Sequence, residues 1–182
     1  TTYRVEGEYV DNRRPSKVSF AGSLEADLSR RDFTINALAY HPSKGLVDLF
    51  NGLNDIRKKI IRTVGEPDER FQEDGLRMLR AVRFAAQLGF IIEASTLQSI
   101  RTNGRLLNNI SRERIRDEIS KILLSSHPER FAIIHDLGLS SCVFPCLGAC
   151  LTSFEAGNPG TGSLLKHTLK AVSQVRLDNV LR

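Results

Sequence analysis

From Glu66 onward the apolar residues recur at helical spacing. Phe71, Gly75, Met78, Leu79, Val82 and Ala86 fall on one stripe, and Gly89 stands where a C-terminal cap belongs. The pattern predicts one helix of about twenty residues, and it commits this part of the chain to helix packing. A second helix is predicted over 94–103. A third covers 111–124, where Ser111 opens SRERIRDEISKILL and Ile115, Ile119, Ile122 and Leu123 form the apolar face. Beyond Ser125 a helix is expected over 128–137, a loop over 157–162 and a last helix from Ser163.

The residues before Glu66 read differently. TTYRVEGEY is prone to strand, and SLEADLSR is a short helix with Ser23 as its N-cap. INALAYH and LVDLF flank a Pro-Ser-Lys-Gly turn and predict a hairpin. NGLNDIRKK follows as a short helix with Asn51 or Asn54 as its cap, and IIRTV as another strand. The fold class expected is therefore α+β, with a strand-rich part over 1–64, a helical part over 65–126 and a second helical part over 127–182.

At 182 residues and 41% apolar content the chain can bury an ordinary core without staples. It has no apolar run of about eighteen residues, which excludes a spanning helix, and its opening lacks the basic and apolar regions of a signal peptide. A cytoplasmic location without membrane partners is the expectation. Cys142, Cys146 and Cys150 lack the paired spacing of a zinc site and read as free thiols in a half-buried helical segment. The net charge of +5, with doublets at Arg13-Arg14 and Arg30-Arg31 and a cluster from Arg57 to Arg62, suits a polyanionic partner.

On the predicted long helix Asp74, Arg77 and Arg80 lie three apart, on a face opposite the apolar stripe. Cytosine and adenine both present an amino donor beside a ring-nitrogen acceptor, so an Asp acceptor next to an Arg donor matches either. Guanine and uracil present the reverse order, and each unpaired or repelled group costs about 1–3 kcal/mol. One Asp/Arg pair can thus accept C and A and reject G and U. The same spacing also fits an exposed intrahelical ion pair of Arg77 with Glu73 or Asp74, a contact of about 0.2–0.5 kcal/mol.

Two strings stand out, RRDFTINA at 30–37 and RFQEDGLRMLRAVRF at 70–84. With TTYRVEGEYVDNRRP before them and VDLFNGLNDIRKKIIRTVGEP between, they resemble the class II tRNA nucleotidyltransferases, that is, the CCA-adding enzymes and bacterial poly(A) polymerases, in unbroken order to about residue 125. The resemblance implies a partial polymerase-beta-like head with a mixed β-sheet over 1–64, an all-α neck over 65–126 and the start of a helical body over 127–182. It also implies an activity: addition of C and A from CTP and ATP to a tRNA 3′ end with release of pyrophosphate. Poly(A) tailing and A-only addition use the same motifs.

In RRDFTINA the resemblance gives Asp32 the ribose 2′-hydroxyl, Arg31 the sugar or phosphates and Asn36 a supporting part. A carboxylate that accepts from a hydroxyl and a guanidinium that meets triphosphate oxygens suit those roles. In EDGLR it gives Asp74 and Arg77 the base, with Glu73 bracing the arginine, while Arg80 and Arg83 face triphosphate or RNA backbone. DLFNG over 48–52 matches a flexible motif between head and neck, with Asn51 where the pattern often has Gly. Arg114 and Glu118 in SRERIRDE are implied as structural supports that pack against the template helix.

The Mg²⁺ of this chemistry is implied to bind carboxylates that precede residue 1, with no metal site in the chain itself. On that reading the chain alone is inactive. His167 opens HTLKAV, which resembles the start of an HD phosphohydrolase-like domain; a metal there needs a later His-Asp pair, and none follows before Arg182. A noncatalytic RNA-binding or assembly module that lacks the metal carboxylates is the alternative of another class.

Overall fold

The computed structural model describes residues 23–145 and 162–175, together with strand segments at 4–6, 9–10, 14–15 and 18–20. Strand β1 (Arg4–Glu6) pairs antiparallel with β4 (Val18–Phe20), and β2 (Tyr9–Val10) with β3 (Arg14–Pro15). Helix α1 (Leu24–Ser29) starts as expected: Ser23 is extended, and its hydroxyl accepts from the Ala26 N–H at 3.2 Å. A 3-10 turn (Thr34–Asn36) leads into the hairpin of β5 (Leu38–His41) and β6 (Gly45–Asp48), in which Leu38 faces Asp48 and His41 faces Gly45.

Helix α2 (Gly52–Lys58) is capped by a residue other than those expected. Asn51 adopts the left-handed conformation (φ 59°) and makes no side-chain cap. The carboxylate of Asp48 instead accepts from the N–H groups of Gly52 at 2.8 Å and Leu53 at 3.0 Å. Asp48→Ala is expected to cost about 1 kcal/mol, read as a lower urea midpoint at unchanged slope. Gly52 lies so close to the Thr34 carbonyl that an added Cβ would overlap it, which locks α2 onto the turn that follows Asp32.

The predicted strand IIRTV is shorter than expected. Only β7 (Ile60–Ile61) forms, parallel to β8 (Ile91–Ile92), after which Thr63 makes a single antiparallel bridge to Phe33.

The single helix predicted from Glu66 is two helices, α3 (Pro67–Glu73) and α4 (Leu76–Leu88). Asp74 at the break is extended (φ −144°, ψ 105°), and its Oδ1 accepts from the first α4 N–H, that of Leu76, at 3.0 Å. Gly75 packs on Leu106, where an added Cβ would stand only 3.2 Å from the Leu106 Cβ, so the break lies against the 3-10 segment. The apolar stripe survives it: Phe71, Met78, Leu79, Val82 and Ala86 are all fully buried, and Gly89 ends α4 in the left-handed region.

Helix α5 (Ala94–Asn103) and a 3-10 segment (Gly104–Asn109) precede α6 (Arg112–Leu123), which buries Ile115, Ile119 and Ile122 against α4. The expected helix over 128–137 is a 3-10 turn (Pro128–Phe131) followed by α7 (Ala132–Asp136). Helices α8 (Ser140–Val143) and α9 (Gly162–Gln174) complete the described chain. Cys142 is half-buried in α8, whereas Cys146, Cys150, the side chain of His167 and the loop over 157–161 lie outside the described residues.

One apolar cluster runs from Phe33 and Ile61 through α4 and α6 to Leu165 and Leu169, without a gap at residues 64 or 126. Among the described residues no helix is long and apolar enough to cross a membrane.

Candidate functional site

A six-residue helix leaves carbonyl oxygens unmet at its C-terminus, and cationic donors suit them. Helix α1 ends in this way at Ser29 and Arg30, and arginines of α3 and α4 supply the donors. Arg70 Nη1 donates to the Ser29 carbonyl at 3.2 Å and Arg77 Nη2 to the Arg30 carbonyl at 3.1 Å. Two residues on, Arg80 donates to Asp32 Oδ2 from Nε at 2.8 Å and from Nη2 at 2.6 Å. The two strings singled out in the sequence thus meet through Arg77 and Arg80, while Arg70 holds the residue just before the first of them.

Asp32 is buried at this junction. Its Oδ1 accepts from the Phe33 N–H at 2.9 Å and from Asn36 Nδ2 at 3.2 Å, so backbone, amide and guanidinium fix the carboxylate in one plane. Arg31 keeps 42% of its side chain exposed; Nη2 meets Asp27 at 3.1 Å and Nη1 the Asn36 carbonyl at 3.4 Å. It borders a cleft of about 720 Å³ with Tyr40, His41 and Lys44.

Asp74 and Arg77 are neighbours, but through the helix break rather than along one helix face. Asp74 Oδ2 accepts from Arg114 Nη2 at 2.8 Å, which ties the break to α6. Arg77 is buried, and its Nη1 donates to Glu73 Oε2 at 2.5 Å and to the Arg70 carbonyl at 3.2 Å. Glu73 Oε1 in turn meets Arg70 at 2.6 Å.

Arg83 does not join this group. Its guanidinium lies 4.2 Å over the Phe84 ring and meets both oxygens of Glu118 at 2.9 and 3.0 Å, on side chains only 11% and 6% exposed. Burial pushes the Arg83 guanidinium below its usual range, against the opposing pull of the Glu118 charge. Of the two arginines expected to face phosphate, only Arg80 stays at the loop.

Two buried carboxylates went unremarked in the sequence. Asp27 holds both Arg30, at 2.5 Å, and Arg31; a carboxylate three and four residues before an arginine doublet was the available signal. Asp55 accepts from the Thr34 hydroxyl at 2.7 Å and from Arg62 Nε at 3.1 Å, partners that only the fold brings near. Among the described residues no three His, Cys, Asp or Glu side chains are grouped to hold a metal ion.

Comparison with known proteins fits this arrangement. A model described as the Poly A polymerase head domain matches residues 1–62, and one described as a probable RNA and SrmB-binding site of polymerase A matches residues 89–151. The CCA-adding enzyme of Pediococcus pentosaceus is 48% identical over 170 residues, which cover 93% of this chain and 41% of that protein. The solved structure of the Bacillus stearothermophilus CCA-adding enzyme in complex with CTP matches with a TM-score of 0.73 at 36% identity, over 97% of this chain and 39% of that one. The Thermotoga maritima CCA-adding enzyme complexed with tRNA matches with a TM-score of 0.62 at 32% identity, over 67% of this chain and 31% of that one. The chain therefore spans about two fifths of the length of such relatives. With head and RNA-binding models matched in order over more than half of its length, the chain belongs to the family of CCA-adding enzymes and bacterial poly(A) polymerases.

Proposed function

We propose that this chain is the nucleotide-selecting part of an enzyme that transfers CMP and AMP from CTP and ATP to the 3′ end of tRNA, with pyrophosphate released. The observation that carries the proposal is the latch between the two strings. Arg77 and Arg80 hold Arg30 and Asp32, so a group suited to the sugar and a group suited to the base stand on joined elements. The relatives' complexes with CTP and with tRNA support the same substrates here.

In this scheme Arg31, the exposed member of the pair, meets phosphate oxygens, and Asp32 accepts from the 2′-hydroxyl that deoxyribose lacks. Asp74 accepts the amino group of cytosine or adenine, and an N–H of Arg77 meets the adjacent ring nitrogen. Asn36 and Arg80 hold Asp32, Glu73 orients Arg77, and Arg114 orients Asp74. Residues 1–64 then act as head, 65–126 as neck and 127–182 as the start of a helical body, in a cytoplasmic protein. Mg²⁺ supplies charge neutralisation at the triphosphate in such transfers.

The test uses the full-length protein with tRNA that lacks its 3′ end, Mg²⁺ and each nucleoside triphosphate in turn. CMP and AMP are expected to be incorporated at least about tenfold faster than UMP or GMP. Equal incorporation of all four would sink the assignment of the Asp/Arg pair. Incorporation of AMP alone would place the enzyme with the A-adding or poly(A) members.

A further inference from the structure

Arg70 is given no role by the motif reading, yet its side chain holds Glu73, one of the acceptors of Arg77, and the Ser29 carbonyl beside another. Arg77 has three acceptors. The first is the carbonyl of Arg70 itself, at 3.2 Å. The second is Glu73, whose other oxygen is held by Arg70 Nη2 at 2.6 Å. The third is the Arg30 carbonyl, next in the chain to the Ser29 carbonyl that Arg70 Nη1 holds at 3.2 Å.

A guanidinium has five N–H donors in a rigid plane, so three fixed acceptors leave two donors of Arg77 in one orientation. Arg70 is itself only 16% exposed, and its Nε is buried without a hydrogen-bond partner. A buried arginine with an unmet donor is a poor device for stability alone, because desolvation offsets what its ion pair contributes. It is a good device for orientation.

We infer that Arg70 is a positioning residue for base choice, holding Glu73 and the end of α1 so that the free donors of Arg77 meet the base in one register. The inference rests on the reading of Arg77 as the base-selecting arginine. It assigns Arg70 to selection among bases and not to recognition of the sugar, since Arg70 makes no contact with Asp32 among the hydrogen bonds and ion pairs described.

The test compares wild-type full-length enzyme with Arg70→Met, Arg70→Lys and Arg77→Met, using kcat/KM for CTP, UTP and dCTP on tRNA that lacks its 3′ end. Arg70→Met is expected to lower the CTP-to-UTP ratio about tenfold, the weight of one charge-assisted contact, while the CTP-to-dCTP ratio moves less than about twofold. Arg70→Lys keeps the charge but cannot reach Glu73 and Ser29 together, so its ratio falls between wild type and Arg70→Met. An equal fall for CTP and UTP in Arg70→Met overturns the inference. If Arg77→Met shifts the ratio and Arg70→Met does not, the inference alone fails; if neither shifts it, the base-selection reading fails with it. Should Arg70→Met lose its cooperative unfolding transition, Arg70→Lys decides, and a wild-type ratio there counts against Arg70.

Discussion

Asp74→Ala in the full-length enzyme is expected to lower the preference for CTP and ATP over UTP and GTP by roughly 10- to 100-fold in kcat/KM. The carboxylate is the group that turns away the carbonyl oxygens of guanine and uracil, and each such mismatch carries about 1–3 kcal/mol. Alanine removes the repulsion as well as the match, so the wrong bases gain while the right ones lose. Affinity for the triphosphate common to all four should change less, because Arg31, Asp32 and Arg80 are untouched. The substitution has a structural cost too. Asp74 caps α4 at Leu76, worth about 1 kcal/mol, and it is the partner of Arg114, whose Nη1 is already buried without an acceptor. That cost falls on every nucleotide alike and shows in the unfolding midpoint. The ratio is therefore the decisive readout, and an equal loss for all four nucleotides would assign Asp74 to the fold alone.

What was legible in the sequence was local. The hairpin around Pro42, the cap at Ser23, the helix over 94–103 and the buried face of α6 follow from spacings of two to four residues, and all stand as expected. The break at Asp74 was hidden because Phe71, Met78, Leu79 and Val82 keep helical spacing across it, and the contact beside it, of Gly75 with Leu106, is distant in sequence. The N-cap position of α2 at Asn51 was legible, but not its side-chain acceptor, because Asn51 turns left-handed and Asp48 meets the first N–H groups instead. The motifs marked the residues of the site, while their partners stayed invisible. Asp32 meets Arg80 across 48 positions and Asp74 meets Arg114 across 40, separations at which no pattern in one sequence reports contact.

The same long-range contacts explain why the proposed head and neck share one core. Arg62, at the end of β7, ties Asp55 of α2 to Glu93 before α5, and Thr34 of the turn after Asp32 bonds to the same Asp55 oxygen. The parallel pair of β7 and β8 runs beside this network. The network thus joins α2 to the turn that follows Asp32. Gly52, pressed on the Thr34 carbonyl, packs the two elements together at the same place.

The largest expected loss of stability lies away from the proposed base contacts, at Glu118. Its carboxylate is the counter-charge of Arg83 and also meets Lys121 at 3.2 Å, but Lys121 is half exposed and can turn to water. Arg83 cannot, since its guanidinium is packed on Phe84, which in turn stands edge-on to Phe33 at 5.7 Å in the core. Glu118→Ala therefore leaves a buried cation with only the face of an aromatic ring for company. A loss of about 3–5 kcal/mol in unfolding free energy is expected, measured by urea denaturation of the full-length protein. Glu118→Gln keeps an acceptor for Arg83 and should cost less. The double change Arg83→Met with Glu118→Leu should recover most of the loss, because an apolar pair avoids the desolvation of both charges. A single Glu118→Ala variant within about 1 kcal/mol of wild type would mean that water reaches Arg83 after all, and that α4 and α6 are held by their isoleucine and alanine contacts alone.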